Sequence, residues 1–297
     1  MFASLMPDLI RIDAGPAESV RLASRAGFRG VDLRLNRFAD EVDRLDPAVL
    51  SAAFDAAGLR PGYCSITPGS ISVGEEQWRA AMEDVPRRAR LAAALGYTRA
   101  TAVVLPFSTD LDPAANRARH IERTREAADA LEPHGLRFGL EYVSPLTRRR
   151  DAPHQFVHTL AQLLELLDEA GRPNTGVMLD CFHWHCAGET ADDLAAIGPQ
   201  RVIAVHVCDL VPGVPVDEQV VTERELPAAS GIVDIATFLG TLRDIGYDGP
   251  VTAEPTSERW FGRDAAESAR ETADAVRRAM QLAGVPTAAA APSEGAP

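Results

Sequence analysis

The sequence predicts an α/β fold, a (β/α)8 TIM barrel, from three observations. Short apolar stretches of strand type alternate with helical stretches eight times along the chain. Most of the helical stretches end at a glycine, a common helix stop. Several later strand-type stretches finish on a carboxylate or an imidazole, which is typical of barrel strands that open into a site. A doubly wound open sheet is the alternative, but its nucleotide-binding signatures, GxGxxG and GxxxxGKS/T, are missing.

The first half of the chain sets out the repeated unit. Its elements are a strand within 2–10, a helix at 16–26, a strand at 30–35, a helix at 47–57, a strand at 60–66, a helix at 76–95 and a strand at 99–106. The three helices stop at Gly27, Gly58 and Gly96. In the strand at 30–35, Asp32 and Arg34 alternate with apolar residues. This strand is therefore either half-buried or turns its polar side chains toward the barrel mouth.

The second half continues the alternation to the end of the barrel. Its elements are a helix at 113–134, a strand at 137–143, a helix at 154–170, a strand from 174, a helix at 191–197, a strand at 202–210, a helix at 234–245, a strand at 249–255 and a helix at 264–282. Consecutive parallel strands need a helical crossover, so the alternation favours a parallel barrel. We assign 1–284 to a single barrel domain and predict that the Ala- and Pro-rich segment 285–297 is a disordered tail.

Composition and charge limit the function classes. The chain is 46% hydrophobic and 25% charged, as ordinary globular proteins are. A net charge of −13 argues against nucleic acid and against anionic membrane surfaces as partners. No apolar run reaches membrane-spanning length and the first residues do not resemble a signal peptide, so we expect a cytoplasmic protein; a homo-oligomer stays open. Its four cysteines show no CxxC spacing and are expected to be reduced.

Four consecutive strands each carry a candidate metal ligand at or near the C-terminal end. These residues are Glu141, Asp180, His206 and Glu254. Any one alone is often a salt-bridged acid or a core histidine. Together, three carboxylates would converge with little counter-charge and raise one another's pKa, and a divalent cation removes that repulsion. The sequence therefore predicts a metal site at the barrel mouth.

The donor types indicate which metal the site would hold. Three oxygen donors and one nitrogen donor suit Mn2+ best, with Co2+ or Mg2+ as alternatives, rather than a structural zinc. Cys208 follows His206 by two residues, and we expect its thiol to pack or to line the pocket. Aromatic residues near the mouth are either core residues or a wall for a sugar ring, and Trp184 is the predicted substrate contact among them.

Several stretches of the chain resemble a known superfamily. LEYVSP, LDCFHWH, VHVCDL and LRDIGYDGPVTAEP are similar to the sugar phosphate isomerase/epimerase superfamily with a xylose-isomerase-like TIM barrel, which includes ketose 3-epimerases, inosose dehydratases and isomerases, and hydroxypyruvate isomerases. The similarity runs from Gly30 to Gly284, and the four ligand stretches come in the family order. The resemblance implies a divalent metal held by the four residues, with Glu141 and Glu254 as acid and base.

The resemblance also implies two substrate-binding residues. His183 stands in the family's D-x-x-H element, and because Asp180 already supplies that strand's ligand, we expect His183 to lie beside the metal and orient the substrate. Arg224 resembles the family arginine that precedes a PGxG turn, although that turn reads PAAS here. Cys208 stands where the family often has a lysine. These departures fall in the loops that shape specificity.

The predicted function follows from a metal and two acids acting on a polyhydroxy carbonyl compound. Chelation acidifies the C–H beside the carbonyl and stabilises an enediolate, whose reprotonation gives epimerisation or isomerisation. We expect a metal-dependent isomerase or epimerase acting on a small non-phosphorylated keto-sugar or cyclitol. The alternative is a metal-dependent lyase, either a keto-inositol dehydratase or an enzyme that eliminates an aglycone from a 3-keto-glycoside. A DNA-repair endonuclease is disfavoured by the seven histidines and the charge of −13.

Overall fold

The computed structural model describes residues 1–37 and 46–287, and its centre is a closed barrel of eight parallel strands. In chain order the barrel strands are β1 (Phe2–Leu5), β2 (Gly30–Leu33), β3 (Arg60–Cys64), β4 (Arg99–Val104), β6 (Arg137–Tyr142), β8 (Thr175–Asp180), β9 (Val202–Val207) and β10 (Pro250–Ala253). Strand β1 closes the barrel against β10, with Ser4 opposite Thr252. The predicted fold class is confirmed.

Helices surround the barrel. They are α1 (Pro16–Ala26), α2 (Pro47–Ala57), α3 (Glu75–Ala94), α4 (Pro113–Leu131), α5 (Leu160–Ala170), α6 (Cys181–Ala187), α7 (Ala191–Ala195), α8 (Ile235–Asp244) and α9 (Ala265–Leu282). Seven of them begin at an Asp or Thr whose side chain accepts a hydrogen bond from a first-turn N–H, namely at Asp46, Asp112, Thr159, Asp180, Thr190, Asp234 and Asp264. These caps are local sequence signals that agree with the predicted helix starts at 47, 113, 191, 234 and 264.

Two predicted elements differ from the structure. The helix expected from His154 begins only at Leu160, because β7 (His154–Gln155) pairs antiparallel with β5 (Phe107–Ser108). The strand predicted from 174 ends on Asp180, as expected, but the helix α6 that follows it directly was not predicted. Asp180 is both the last strand residue and the N-cap of α6, its Oδ1 accepting from the N–H of Phe182 at 2.8 Å.

Small residues make room inside the barrel for larger ones. A Cβ on Gly139 would lie 2.8 Å from Cβ of Ile203, and one on Gly176 would lie 2.2 Å from the Arg201 carbonyl oxygen. Below the mouth, Asp32 is fully buried, and a Cβ on Gly62 would lie 1.9 Å from its Oδ1. Asp32 therefore occupies space that only glycine leaves open.

The remaining predictions on organisation are tested in part. Within 1–37 and 46–287, no helix combines the length and the apolar character needed to cross a membrane. The four cysteines are unpaired thiols. Val285, at the start of the predicted tail, is buried, whereas residues 288–297 of that tail lie outside the described part of the chain.

Candidate metal centre

The structure brings the four predicted ligands together at the C-terminal ends of four neighbouring strands. One donor atom each from Glu141, Asp180, His206 and Glu254 lies within 4.8 Å of the other three. Glu141, Asp180 and His206 are buried, and Glu254 is partly exposed. The grouping follows from strand register, because Asp180 on β8 is directly opposite His206 on β9. The N–H of Glu254 donates to the carbonyl of Val207 at 3.0 Å, which extends the β10 pairing to the ligand itself.

His206 presents one particular nitrogen to the carboxylates. Its Nδ1 lies 3.1 Å from Glu254 Oε2 and 3.8 Å from Glu141 Oε1, while its Nε2 lies 2.7 Å from the Tyr63 hydroxyl oxygen. Burial lowers the pKa of His206, but Glu254 and Glu141 outweigh burial and raise the pKa to about 8. Tyr63 on β3 therefore orients the ring and leaves Nδ1 for a ligand. Sequence reasoning missed Tyr63, because a tyrosine within an apolar strand looks like a core residue.

Arg224 bridges two of the three acids in the cluster, Asp180 and Glu254. Its Nη1 donates to Asp180 Oδ2 at 2.7 Å and to Glu254 Oε2 at 2.6 Å, and its guanidinium lies 4.3 Å from the centre of the Phe182 ring. Burial acts to lower the pKa of Arg224, but the acids hold it well above its usual value. Arg224 is thus a fixed positive charge that neutralises one of the three carboxylates.

A buried carboxylate after β9 holds the loop that carries Arg224. Asp209 Oδ2 accepts from the N–H groups of Ser230 and Gly231 at 2.9 and 2.7 Å, and its Oδ1 accepts from those of Leu210 and Val233 at 2.9 and 3.0 Å. Backbone bonds with Glu225 in both directions fix the same loop. Sequence reasoning did not single out Asp209, although an acid just beyond a strand was an available signal.

The two glutamates have opposite electrostatic environments. Burial, followed by repulsion from Glu254, raises the pKa of Glu141 to about 8. Burial would also raise the pKa of Glu254, but Arg224 and His206 hold it well below its usual value. Glu141 Oε1 is buried and accepts no hydrogen bond from any described residue.

The donor set fits a divalent cation. With its three carboxylates ionised, His206 neutral and Arg224 charged, the cluster has two negative charges in excess. A buried oxygen of Glu141 that accepts no hydrogen bond faces the other donors. A buried charge of this kind is normally paired or bound to a metal. A second group, Asp180 with Cys181 and Cys208, lies close by. Burial raises the pKa of the Cys208 thiol well above its usual value, so this thiol is protonated in the metal-free chain.

Of the three predicted substrate contacts, Arg224 and His183 lie at the cluster and Trp184 lies away from it. His183 Nε2 lies 3.8 Å from Asp180 Oδ2 and 3.4 Å from Arg224 Nη2, and its Nδ1 faces the N–H of Ser144 at 3.3 Å. Burial and Arg224 lower its pKa, so the ring is neutral. Trp184 is placed elsewhere: its indole packs on Phe238 of α8 and donates to the Thr190 carbonyl at 3.2 Å, facing the helical layer.

A cavity of about 420 Å³ opens beside the cluster and is large enough for a monosaccharide. Glu141, His206 and Glu254 line one side, and residues that follow β2 and β3, among them Arg34 and Ser65, line another. A further cavity of about 470 Å³ lies at the N-terminal end of the barrel, around Phe2 and Arg60, away from the cluster.

Comparisons with known proteins agree with this architecture. The family described as "Xylose isomerase-like TIM barrel" matches residues 20–279. Inosose isomerase from Bacillus licheniformis is 27% identical over 154 residues, 52% of each chain, so the match spans about half of that relative. A xylose isomerase domain protein from Alicyclobacillus acidocaldarius superposes with a TM-score of 0.83 at 32% identity, covering 95% of this chain and 99% of that chain. The IOLI protein, solved with a bound zinc atom, has a TM-score of 0.78 at 18% identity, with 96% and 98% covered, which shows the fold alone.

Proposed function

The chain belongs to the xylose isomerase-like TIM barrel family, and from this premise we propose that it is a metal-dependent isomerase or epimerase of a small carbonyl compound with neighbouring hydroxyl groups. The single observation that carries the proposal is the unpartnered, buried Oε1 of Glu141, which faces two further acids and His206 Nδ1. A structural cluster would satisfy this oxygen internally, because an unpaired buried acceptor costs about 1–3 kcal/mol.

Glu141, Asp180, His206 and Glu254 would hold the cation, which when bound polarises a carbonyl and acidifies the neighbouring C–H. The remaining steps belong to the chain itself. Glu141 on β6 and Glu254 after β10 are separated by β8 and β9 on the barrel wall. They therefore reach a substrate from two sides, so that one carboxylate can remove a proton and the other can return one. Arg224 and His183 stand beside Asp180, where they can orient substrate oxygens.

Metal content is the first test. We expect one divalent cation per chain, with Mn2+ or Co2+ restoring chelator-treated protein best, and Mg2+ and Zn2+ as the comparison ions. Elemental analysis should show the loss of the ion in Asp180→Asn and His206→Ala. Glu258→Gln, which changes an exposed glutamate near Glu254, is the control and should keep the ion. Full metal content in both site variants would remove the proposed centre.

Proton exchange is the second test. The metal-loaded protein is incubated in D2O with a panel of neutral ketoses, keto-inositols and 3-keto-glycosides, and NMR follows each C–H. Exchange at the carbon next to the carbonyl, with an inverted or isomerised product, is the expected result. Loss of water or of an aglycone without any isomer would establish the lyase alternative instead. A cytoplasmic location belongs to this proposal as a further prediction, and a homo-oligomer stays open.

A further inference from the structure

The cavity wall on the β2 and β3 side carries polar groups that the proposed chemistry does not use. Arg34 directly follows β2, is half-buried, and lines the same cavity as Glu141, His206 and Glu254. Ser65 follows β3, and Thr101 lies on β4. The hydroxyl groups of Ser65 and Thr101 make no hydrogen bond within the described part of the chain. These three side chains are therefore available to a ligand.

Arg34 differs from the other arginines at this mouth in lacking a partner. Arg37 pairs with Asp8 and, at 3.0 Å, with Asp13. Arg11 donates to the Thr256 carbonyl at 2.9 Å and lies over the Phe261 ring. The Arg34 side chain has neither an ion pair nor a hydrogen bond with any residue in 1–37 or 46–287, and only its backbone carbonyl accepts, from the N–H of Arg37. A half-buried guanidinium without a counter-ion is a ready site for a carboxylate or a phosphate.

The charge of the site decides between these two anions. The three acids of the metal centre are balanced by Arg224 together with one divalent cation, so the loaded cluster is neutral. Among the residues of 1–37 and 46–287, no acid then pairs with Arg34, whose positive charge faces the cavity. A carboxylate carries one negative charge, whereas a phosphate monoester carries about 1.5 to 2 at pH 7. One carboxylate therefore matches the site.

We propose that Arg34 binds a carboxylate on the substrate, so that the enzyme acts on a polyhydroxy keto acid in preference to a neutral sugar. This inference rests on the proposed function, because the metal centre fixes the carbonyl end of the substrate. Arg34 would hold the acid end across a cavity of about 420 Å³, with Ser65 or Thr101 donating to a carboxylate oxygen. The carbonyl end and the acid end together set the orientation of the chain of carbons between them.

Three ketoses that differ only at C6 test the proposal: D-fructose, D-fructuronate and D-fructose 6-phosphate, which carry a hydroxymethyl group, a carboxylate and a phosphate. Calorimetry with the Mn2+-loaded protein measures binding, and NMR in D2O measures C–H exchange. We expect D-fructuronate to bind roughly 10- to 100-fold more tightly than D-fructose, the usual strength of one charge-assisted pair. Arg34→Gln should bring this ratio close to one, and Arg34→Lys should keep part of it.

The control distinguishes the effect of the Arg34 charge at the cavity from the effect of a change in the net charge of the protein. Arg25→Gln makes the same change in net charge at the other end of the barrel, beside Phe2, and should leave the ratio unchanged. A wild-type protein without acid preference, a preference that survives Arg34→Gln, or tighter binding of the phosphate would each overturn the inference. C–H exchange without acid preference would leave the proposed function standing, whereas acid preference without exchange of any substrate would remove the proposed function and keep the role of Arg34.

Discussion

Two buried acids in the same barrel, Asp32 and Glu141, have opposite surroundings. Asp32 Oδ1 accepts from the Ser4 hydroxyl at 2.8 Å and from the Tyr63 N–H at 2.9 Å, and its Oδ2 accepts from the Thr252 hydroxyl at 2.6 Å. Both of its oxygens are therefore satisfied by neutral donors. Glu141 Oε1, nearer the mouth, has no donor among the described residues.

The difference shows what distinguishes a binding site from a structural one. Burial raises the pKa of both carboxyl groups, so a shifted pKa alone does not separate them. The two acids differ in hydrogen-bond satisfaction: both oxygens of Asp32 already have neutral donors, whereas Glu141 Oε1 has no donor among the described residues and requires a partner from outside the chain. Asp209, with four backbone donors, belongs with Asp32 as a structural acid.

The largest expected effect is on catalysis at Glu141 and Glu254. Replacing either with Gln removes proton transfer while keeping a side-chain oxygen, so we expect the rate of C–H exchange to fall 10²- to 10⁴-fold. The free energy of unfolding of the metal-free protein should not fall in Glu141→Gln, because the buried carboxyl that is lost has no hydrogen-bond donor at Oε1. Exchange kinetics and urea unfolding measure the two quantities. Near-normal turnover in both variants would leave the glutamates without a catalytic role.

Asp32→Ala should do the reverse, with a large effect on stability and none on metal content. The change leaves the two hydroxyls and one N–H that now bond Asp32 without their acceptor, at a cost of about 1–3 kcal/mol for each group. We expect the free energy of unfolding to fall by roughly 3 kcal/mol or more. Urea unfolding and elemental analysis are the measurements. If Asp32→Ala loses the metal but keeps its stability, Asp32 is a binding residue and its assignment as a structural acid is wrong.

Metal binding should release protons from the centre and not from Asp32. Glu141, with a pKa of about 8, is mostly protonated at pH 7 in the metal-free chain, and a cation requires its ionised form. The apparent affinity should therefore rise with pH, by about tenfold per unit for each proton released, and level off above about pH 8. His206, also with a pKa of about 8, adds to the slope. Calorimetry in buffers of different ionisation enthalpy counts the protons, and Asp32→Asn should not change that count. Binding at pH 7 without proton release would contradict the assignment.

The fold and the four ligands were predictable for a simple reason. Strand ends, helix caps and glycine stops are local signals, and parallel strands bring their C-terminal ends to one face. Contacts between distant segments were not predictable in this way. In the sequence, Tyr63 has the pattern of a core residue, but in the structure its hydroxyl on β3 contacts His206 on β9. The sequence predicted that Trp184 lies at the barrel mouth, but in the structure its indole on α6 packs against Phe238. The local sequence around an aromatic residue does not determine whether its ring faces the site or the packed core.

The smallest expected effect concerns the turn after Arg224, where the resemblance implies glycine but the chain has Ala228. Ala228 has a φ of 58°, a left-handed conformation that costs an L-residue about 1–2 kcal/mol. Ala228→Gly removes this strain but increases the entropy of the unfolded chain by about 0.4–1 kcal/mol. We expect a net stabilisation of roughly 0.5–1 kcal/mol in urea unfolding, with metal content unchanged, because the turn is already held by Asp209.

Ala229→Gly is the matched control: its φ is not positive, so the same change should destabilise the protein. Equal effects at both positions would show that Ala228 is not strained. A gain in stability accompanied by a loss of metal would show instead that this strain keeps Arg224 in place, and that the saturated acid Asp209 does not hold the loop by itself.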